Sequence, residues 1–146
     1  MWTYQQIGKL ITPEGQPSAH QWYSGNGVHA NKPQDEGLKG LGPIPRGRYT
    51  FGGFIDYKTQ LGPVAFHLIP DDQTRAFILS LGRDPNSFFC HDGDTAHNYL
   101  ASDGCLVCMA GSVGVLSMWN SGDHELLVES GLPAGFDFGP AFHYPD

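Results

Sequence analysis

Short apolar runs divided by glycine and proline, rather than long helical stripes, set the pattern of this chain. Trp2–Gln6 and Lys9–Thr12 lie on either side of Ile7-Gly8 and predict a hairpin, and Pro13-Glu14-Gly15 adds a second turn. His20–Ser24 (HQWYS) predicts a strand. Gly25 to Gly40 is polar, carries no sustained period and predicts a long surface loop, a length at which loops often serve function. In Leu41–Tyr49 (LGPIPRGRY) two prolines fix φ and the neighbouring glycines permit sharp reversal, before a strand over Tyr49–Phe54. Further strands are predicted at Val64–Ile69, stopped by Pro70, at Ala76–Leu81, stopped by Gly82, and at Phe88–His91.

Beyond a polar loop, Ser102-Asp103-Gly104 turns the chain into the apolar run Cys105-Leu106-Val107. Val113, Leu116 and Trp119 then recur at helical spacing, with Ser112 as cap and Gly122 as stop, which predicts one short helix. Leu126–Val128 forms the last strand, and Gly131 to Asp146, with three prolines and three glycines, an irregular tail. With no internal repeat and no linker, the pattern predicts a single domain over residues 1–146. It is mainly β: a mixed, mostly antiparallel, sandwich- or barrel-like arrangement with one short helix.

Composition narrows the function classes. Hydrophobic residues make up 40% of the 146 and aromatics 12%, enough for a packed core. A formal charge of −7 argues against nucleic acid or an anionic membrane surface as partner, since both are bound through positive patches. No run of eighteen apolar residues predicts membrane insertion. The opening MWTYQQIGKL lacks a basic start followed by an apolar stretch, so synthesis in the cytoplasm without a secretory signal peptide is expected. Three cysteines, an odd number, fit a reducing compartment and no disulfide framework.

The chemistry concentrates in Phe88–Met109, which holds all three cysteines together with His91, His97, Asp92, Asp94 and Asp103. A thiol must become a thiolate to attack, and at its usual pKa of about 8.5 little is present near neutrality. An imidazole can take that proton, so His91 at a strand end and Cys105 at a glycine turn read as base and nucleophile. Gly104 lets the backbone bend, and the Gly104 and Cys105 amides are the expected oxyanion donors. Asp92 or Asp103 would hold the imidazole in its working tautomer, or simply form turns. Arg83 is a candidate for a substrate carboxylate, or a surface charge. His97 is a candidate to orient substrate, or a solvated loop residue. The competing reading of Cys105 is a small buried hydrophobe. Pooling Cys90, His91, Cys105 and Cys108 as a zinc site is opposed by the adjacency of Cys90 and His91, whose side chains leave a strand on opposite faces.

These residues carry a resemblance. His91-x-Gly93 followed by Ser102-x-Gly104-Cys105-Leu106 resembles the signature of L,D-transpeptidases. The likeness to the type VI secretion effectors among them runs from about Trp2 to Val128. It includes the aromatic hairpin Trp2-Thr3-Tyr4, Tyr23-Ser24-Gly25, Gly42-Pro43-Ile44-Pro45-x-Gly47-x-Tyr49, Gly82-Arg83 and Ser121–Leu126. Asp103 stands where the general signature has a second His, and Val107 where it has Asn or Arg. The resemblance implies an L,D-transpeptidase-type fold with His91, Gly104 and Cys105 catalytic. It implies L,D-carboxypeptidase and exchange activity on peptidoglycan stem peptides. For such a substrate Ser102, Asp103, Arg83 and His97 are the candidate contacts. It implies no metal or other cofactor. The partners it implies are an immunity protein and type VI secretion components, and the place of action a target cell's periplasm.

Overall fold

A computed structural model describes residues 1–92, 99 and 102–133. His97 and most of the tail, two of the regions singled out above, lie outside the described residues. Among the described residues eight strands form one sheet: β1 (Trp2–Gln5), β2 (Lys9–Ile11), β3 (Trp22–Ser24), β4 (Gly47–Ile55), β5 (Ala65–Pro70), β6 (Phe89–His91), β7 (Leu106–Cys108) and β8 (Glu125–Glu129). Their order is β2-β1-β8-β4-β5-β6-β7-β3. The β1–β8 and β6–β7 pairs are parallel and the other five antiparallel, so the sheet is mixed and mostly antiparallel as the pattern predicts. The sheet curls until its edges approach. Ser18 donates from its amide to the carbonyl of Leu10 in β2 and accepts the Trp22 indole N–H from β3. A nearly closed, barrel-like sheet results.

Inside the curl lies the main core, with Trp2, Tyr4, Trp22, Tyr49, Phe66, Leu106, Met118 and Leu126 all buried. Tyr4 and Tyr49 show why aromatics suit it: each buries a ring while Tyr49 Oη still donates to the Pro45 carbonyl at 2.7 Å and Tyr4 Oη to Asn31 Oδ1 at 3.2 Å.

Two α-helices are present among the described residues where one helix was predicted. α2 (Ser112–Asn120) is the expected one, but its cap and its buried face differ. Gly111, at φ 85°, precedes it, and Ser112 Oγ donates instead to Asp92 Oδ2 at 3.1 Å. Gly114, Val115 and Met118 are buried, while Val113 is exposed. Gly114 has to lack a side chain, because a Cβ there would run into Cys108 Sγ and Trp22. α1 (Asp72–Ser80) replaces the predicted strand Ala76–Leu81. Asp71 caps it by accepting the Thr74 N–H at 2.8 Å, and Thr74, Phe77 and Ile78 then fall on one buried stripe. A four-residue apolar run is read equally by a strand and by a short buried helix, and here the capping aspartate decides. Among the described residues no helix is long and apolar enough to cross a membrane.

Candidate active site

β6 and β7 run side by side and parallel, with Cys90 opposite Leu106 and His91 opposite Val107. Alternation along each strand then sorts the chemistry by face. Cys90, Leu106 and Cys108 point into the main core, where Cys90 Sγ packs 4.0 Å from Met118 Sδ. Cys105 and Val107 point the other way, into a second cluster with Tyr23, Met109 and Phe89. His91, two residues on from Phe89, shares that outer face. The four candidate zinc ligands are therefore split between two faces and do not converge, and no cluster of three metal-ligating side chains is found among the described residues.

On the outer face a pocket of about 480 Å³ is lined by Cys105, His91, Phe89, Arg83, Asp103 and Lys39, among others. The two central candidates thus meet in one cavity. A second groove of about 440 Å³, which includes Arg48, Tyr49, Asp71 and Glu125, is lined by neither a cysteine nor a histidine.

The turn that presents Cys105 is held from several directions. Ser102 Oγ donates to the Cys105 carbonyl (2.7 Å) and accepts the Gly104 N–H (3.1 Å) and the Gly25 N–H (3.0 Å). Ser24 Oγ donates to the Gly104 carbonyl (3.1 Å) and accepts the Ile44 N–H (2.8 Å). The Tyr23-Ser24-Gly25 and Gly42-Pro43-Ile44 segments, far apart in sequence, therefore fasten the same turn. Gly42 is itself confined: a Cβ would strike the Asp35 carbonyl.

Arg83 is the deepest of these fasteners. Only 4% exposed, it donates through Nη1 to the carbonyls of Glu36 (2.6 Å) and Pro43 (2.7 Å) and through Nη2 to those of Gly42 (3.1 Å) and Asp103 (3.3 Å). The guanidinium also lies 5.1 Å from the centre of the Phe88 ring. All four terminal N–H groups are committed, leaving Nε–H as the one donor with no acceptor among the described residues. Sequence reasoning, which considered Arg83 for a substrate carboxylate, had no access to this role because the four acceptors lie twenty to forty-seven positions away.

Gly104 is required at its place for two reasons. Its φ of 127° is one that L side chains rarely adopt, and a Cβ would collide with Arg83 Nη2 and Phe88 Cε1. Gly104→Ala is expected to destabilise the fold by about 2–4 kcal/mol, read as a lower urea midpoint with an unchanged slope. The Gly104 amide, one of the two expected oxyanion donors, is directed at Ser102 instead. No hydrogen bond from the Cys105 N–H is found among the described residues.

Both central groups are neutral as they stand. Burial pushes the Cys105 thiol up to about 11, opposed by the Phe89 amide, and the thiol points at the Ser87 carbonyl, 3.7 Å away. Burial likewise pulls His91 down to about 4, and neither ring nitrogen has a hydrogen-bond partner among the described residues. The arrangement is thus a neutral thiol and an unengaged imidazole on one wall, not a preformed ion pair. Neither Asp92 nor Asp103 holds the ring. Asp92 accepts from Ser112, while the exposed Asp103 faces the pocket and gives its backbone carbonyl to Arg83.

No protein-family model matches this chain, and no curated protein matches it.

The buried imidazole has a consequence for stability. Unfolded, His91 would bind a proton below its usual 6.5, whereas folded it resists protonation until about 4. Between those values the unfolded chain holds more protons, so stability rises with pH and is lost as pH falls through the window. The expected size is about 3 kcal/mol. Denaturant midpoints between pH 4 and 7 should show a steeper acid loss for the natural chain than for His91→Gln, which has no such proton to gain.

Proposed function

We propose that the protein is a cysteine L,D-carboxypeptidase and L,D-transpeptidase acting on peptidoglycan stem peptides, with an L,D-transpeptidase-type fold. The observation that carries the reading is that Cys105 and His91 wall one open pocket, on a turn fastened by Ser24, Ser102 and Arg83. The resemblance of His91-x-Gly93 and Ser102-x-Gly104-Cys105-Leu106 to the family signature supplies the substrate class.

In this reading the thiol swings from the Ser87 carbonyl toward His91, which takes its proton as sulfur attacks the carbonyl between the diamino acid and the terminal D-alanine. The Cys105 N–H meets the developing oxyanion. His91 returns the proton to the departing amine, D-alanine leaves, and a thioester remains. Water then yields the tripeptide and the free thiol, whereas the amine of another D-amino acid yields the exchanged tetrapeptide. A resting neutral pair slows, without abolishing, the reaction of the nucleophile with stray electrophiles until a substrate occupies the pocket. The protein serves as an antibacterial toxin, made in the cytoplasm, carried by type VI secretion components and neutralised at home by an immunity protein.

Purified muropeptides incubated with the protein, followed by mass spectrometry, test the activity. Loss of one D-alanine from tetrapeptides supports the reading. Binding to sacculi with no change in mass would make the protein a wall-binding module instead.

A further inference from the structure

Arg83 and Lys39 are the two cations that line the pocket of Cys105. The terminal donors of Arg83 are spent on four carbonyls, and the side chain is buried. Lys39 is in the opposite condition. It is exposed, and no ion pair or hydrogen bond involves its ammonium among the described residues. Its position is nevertheless fixed. Arg83 grips the Glu36 carbonyl on one side of it and the Gly42 and Pro43 carbonyls on the other, and the Gly42 N–H closes back onto the Leu38 carbonyl at 2.8 Å. A charged side chain at the tip of a short turn with a clamped base can reach over a pocket without the turn itself drifting.

We infer that Lys39 is the group that receives the carboxylate of the substrate beside Cys105, while Arg83 positions the two segments between which it sits. The inference rests on the proposed activity for the identity of that carboxylate, the terminal D-alanine. The remaining charges in the pocket favour the same orientation: Asp84 and Asp103 repel a carboxylate, so Lys39 is the attractive end. An ammonium is a point charge with rotatable donors, suited to a flexible chain end that arrives from solvent.

The test compares alkylation of Cys105 by iodoacetate, an anion, with that by iodoacetamide, its neutral counterpart, in the natural protein, Lys39→Gln and Lys39→Arg. No Lys or Arg follows Arg83, so cleavage before aspartate, which separates Cys90 from the 103–122 peptide, and fragment-ion sequencing of that peptide read Cys105 apart from Cys108. Lys39→Gln is expected to lower the iodoacetate-to-iodoacetamide rate ratio about three- to fivefold, the effect of one water-screened charge at contact range, and Lys39→Arg to restore it. On tetrapeptide, Lys39→Gln should raise KM about tenfold with little change in kcat, and the KM for a C-terminal amide analogue should not move. A rate ratio unaltered by Lys39→Gln overturns the inference whatever the enzyme's substrate. A lowered ratio in a protein that cleaves no tetrapeptide upholds Lys39 as the anion-receiving group and removes the proposed substrate.

Discussion

Replacing Cys105 by alanine is expected to abolish release of D-alanine from tetrapeptide muropeptides, a fall of at least about a thousandfold in kcat, while the fold survives. The side chain is small and packs at the edge of the outer cluster, so its loss removes one sulfur without opening the main core. His91→Ala should lose about as much, and the double variant little more, because a nucleophile without its base and a base without its nucleophile are equally idle. Muropeptide mass spectrometry with far-UV circular dichroism as the folding control reads all three. Equal D-alanine release by the natural protein and Cys105→Ala would remove the nucleophile, and with it the proposed reaction.

The second large effect is expected at Arg83, on stability. Arg83→Ala strips hydrogen bonds from four carbonyls at once, on the segments carrying Glu36, Gly42, Pro43 and Asp103, and leaves a void beside Phe88. A cost of about 3–5 kcal/mol follows for breaking a buried, charge-assisted network. Lysine recovers little of it, since one ammonium cannot fan out to four acceptors. Urea denaturation measures the loss. A residue that merely met a substrate carboxylate would behave differently: Arg83→Ala would keep its stability and change only KM. Full stability in that variant would therefore return Arg83 to the substrate.

What the sequence made legible follows from how local each signal is. The first hairpin, the strand ending at His91, the glycine turn into Cys105 and the helix around Val115 each depend on neighbours within a few residues. Alternation alone placed Cys90 and His91 on opposite faces. The helix Asp72–Ser80 went unread because its apolar residues are consecutive, and its one distinguishing mark, the Asp71 cap, lies five positions before the run. The fastening of the Cys105 turn was beyond reach for a different reason. Ser24, Gly42 and Arg83 meet it only after the sheet curls, and no periodicity encodes such a meeting. The same holds for Lys39, whose loop shows no sustained period and whose flanking segments are held by Arg83.

The pleat of β6 and β7 also bears on how the chain tolerates oxidants. In a linear peptide Cys105 and Cys108, with two residues between them, are free to close a small disulfide ring. Folding sends the Cys108 and Cys90 sulfurs inward and the Cys105 sulfur outward, so the backbone stands between the Cys105 thiol and its would-be cross-link partners. For the proposed passage from a reducing into an oxidising compartment, this arrangement keeps the Cys105 sulfur single for as long as the sheet stays shut.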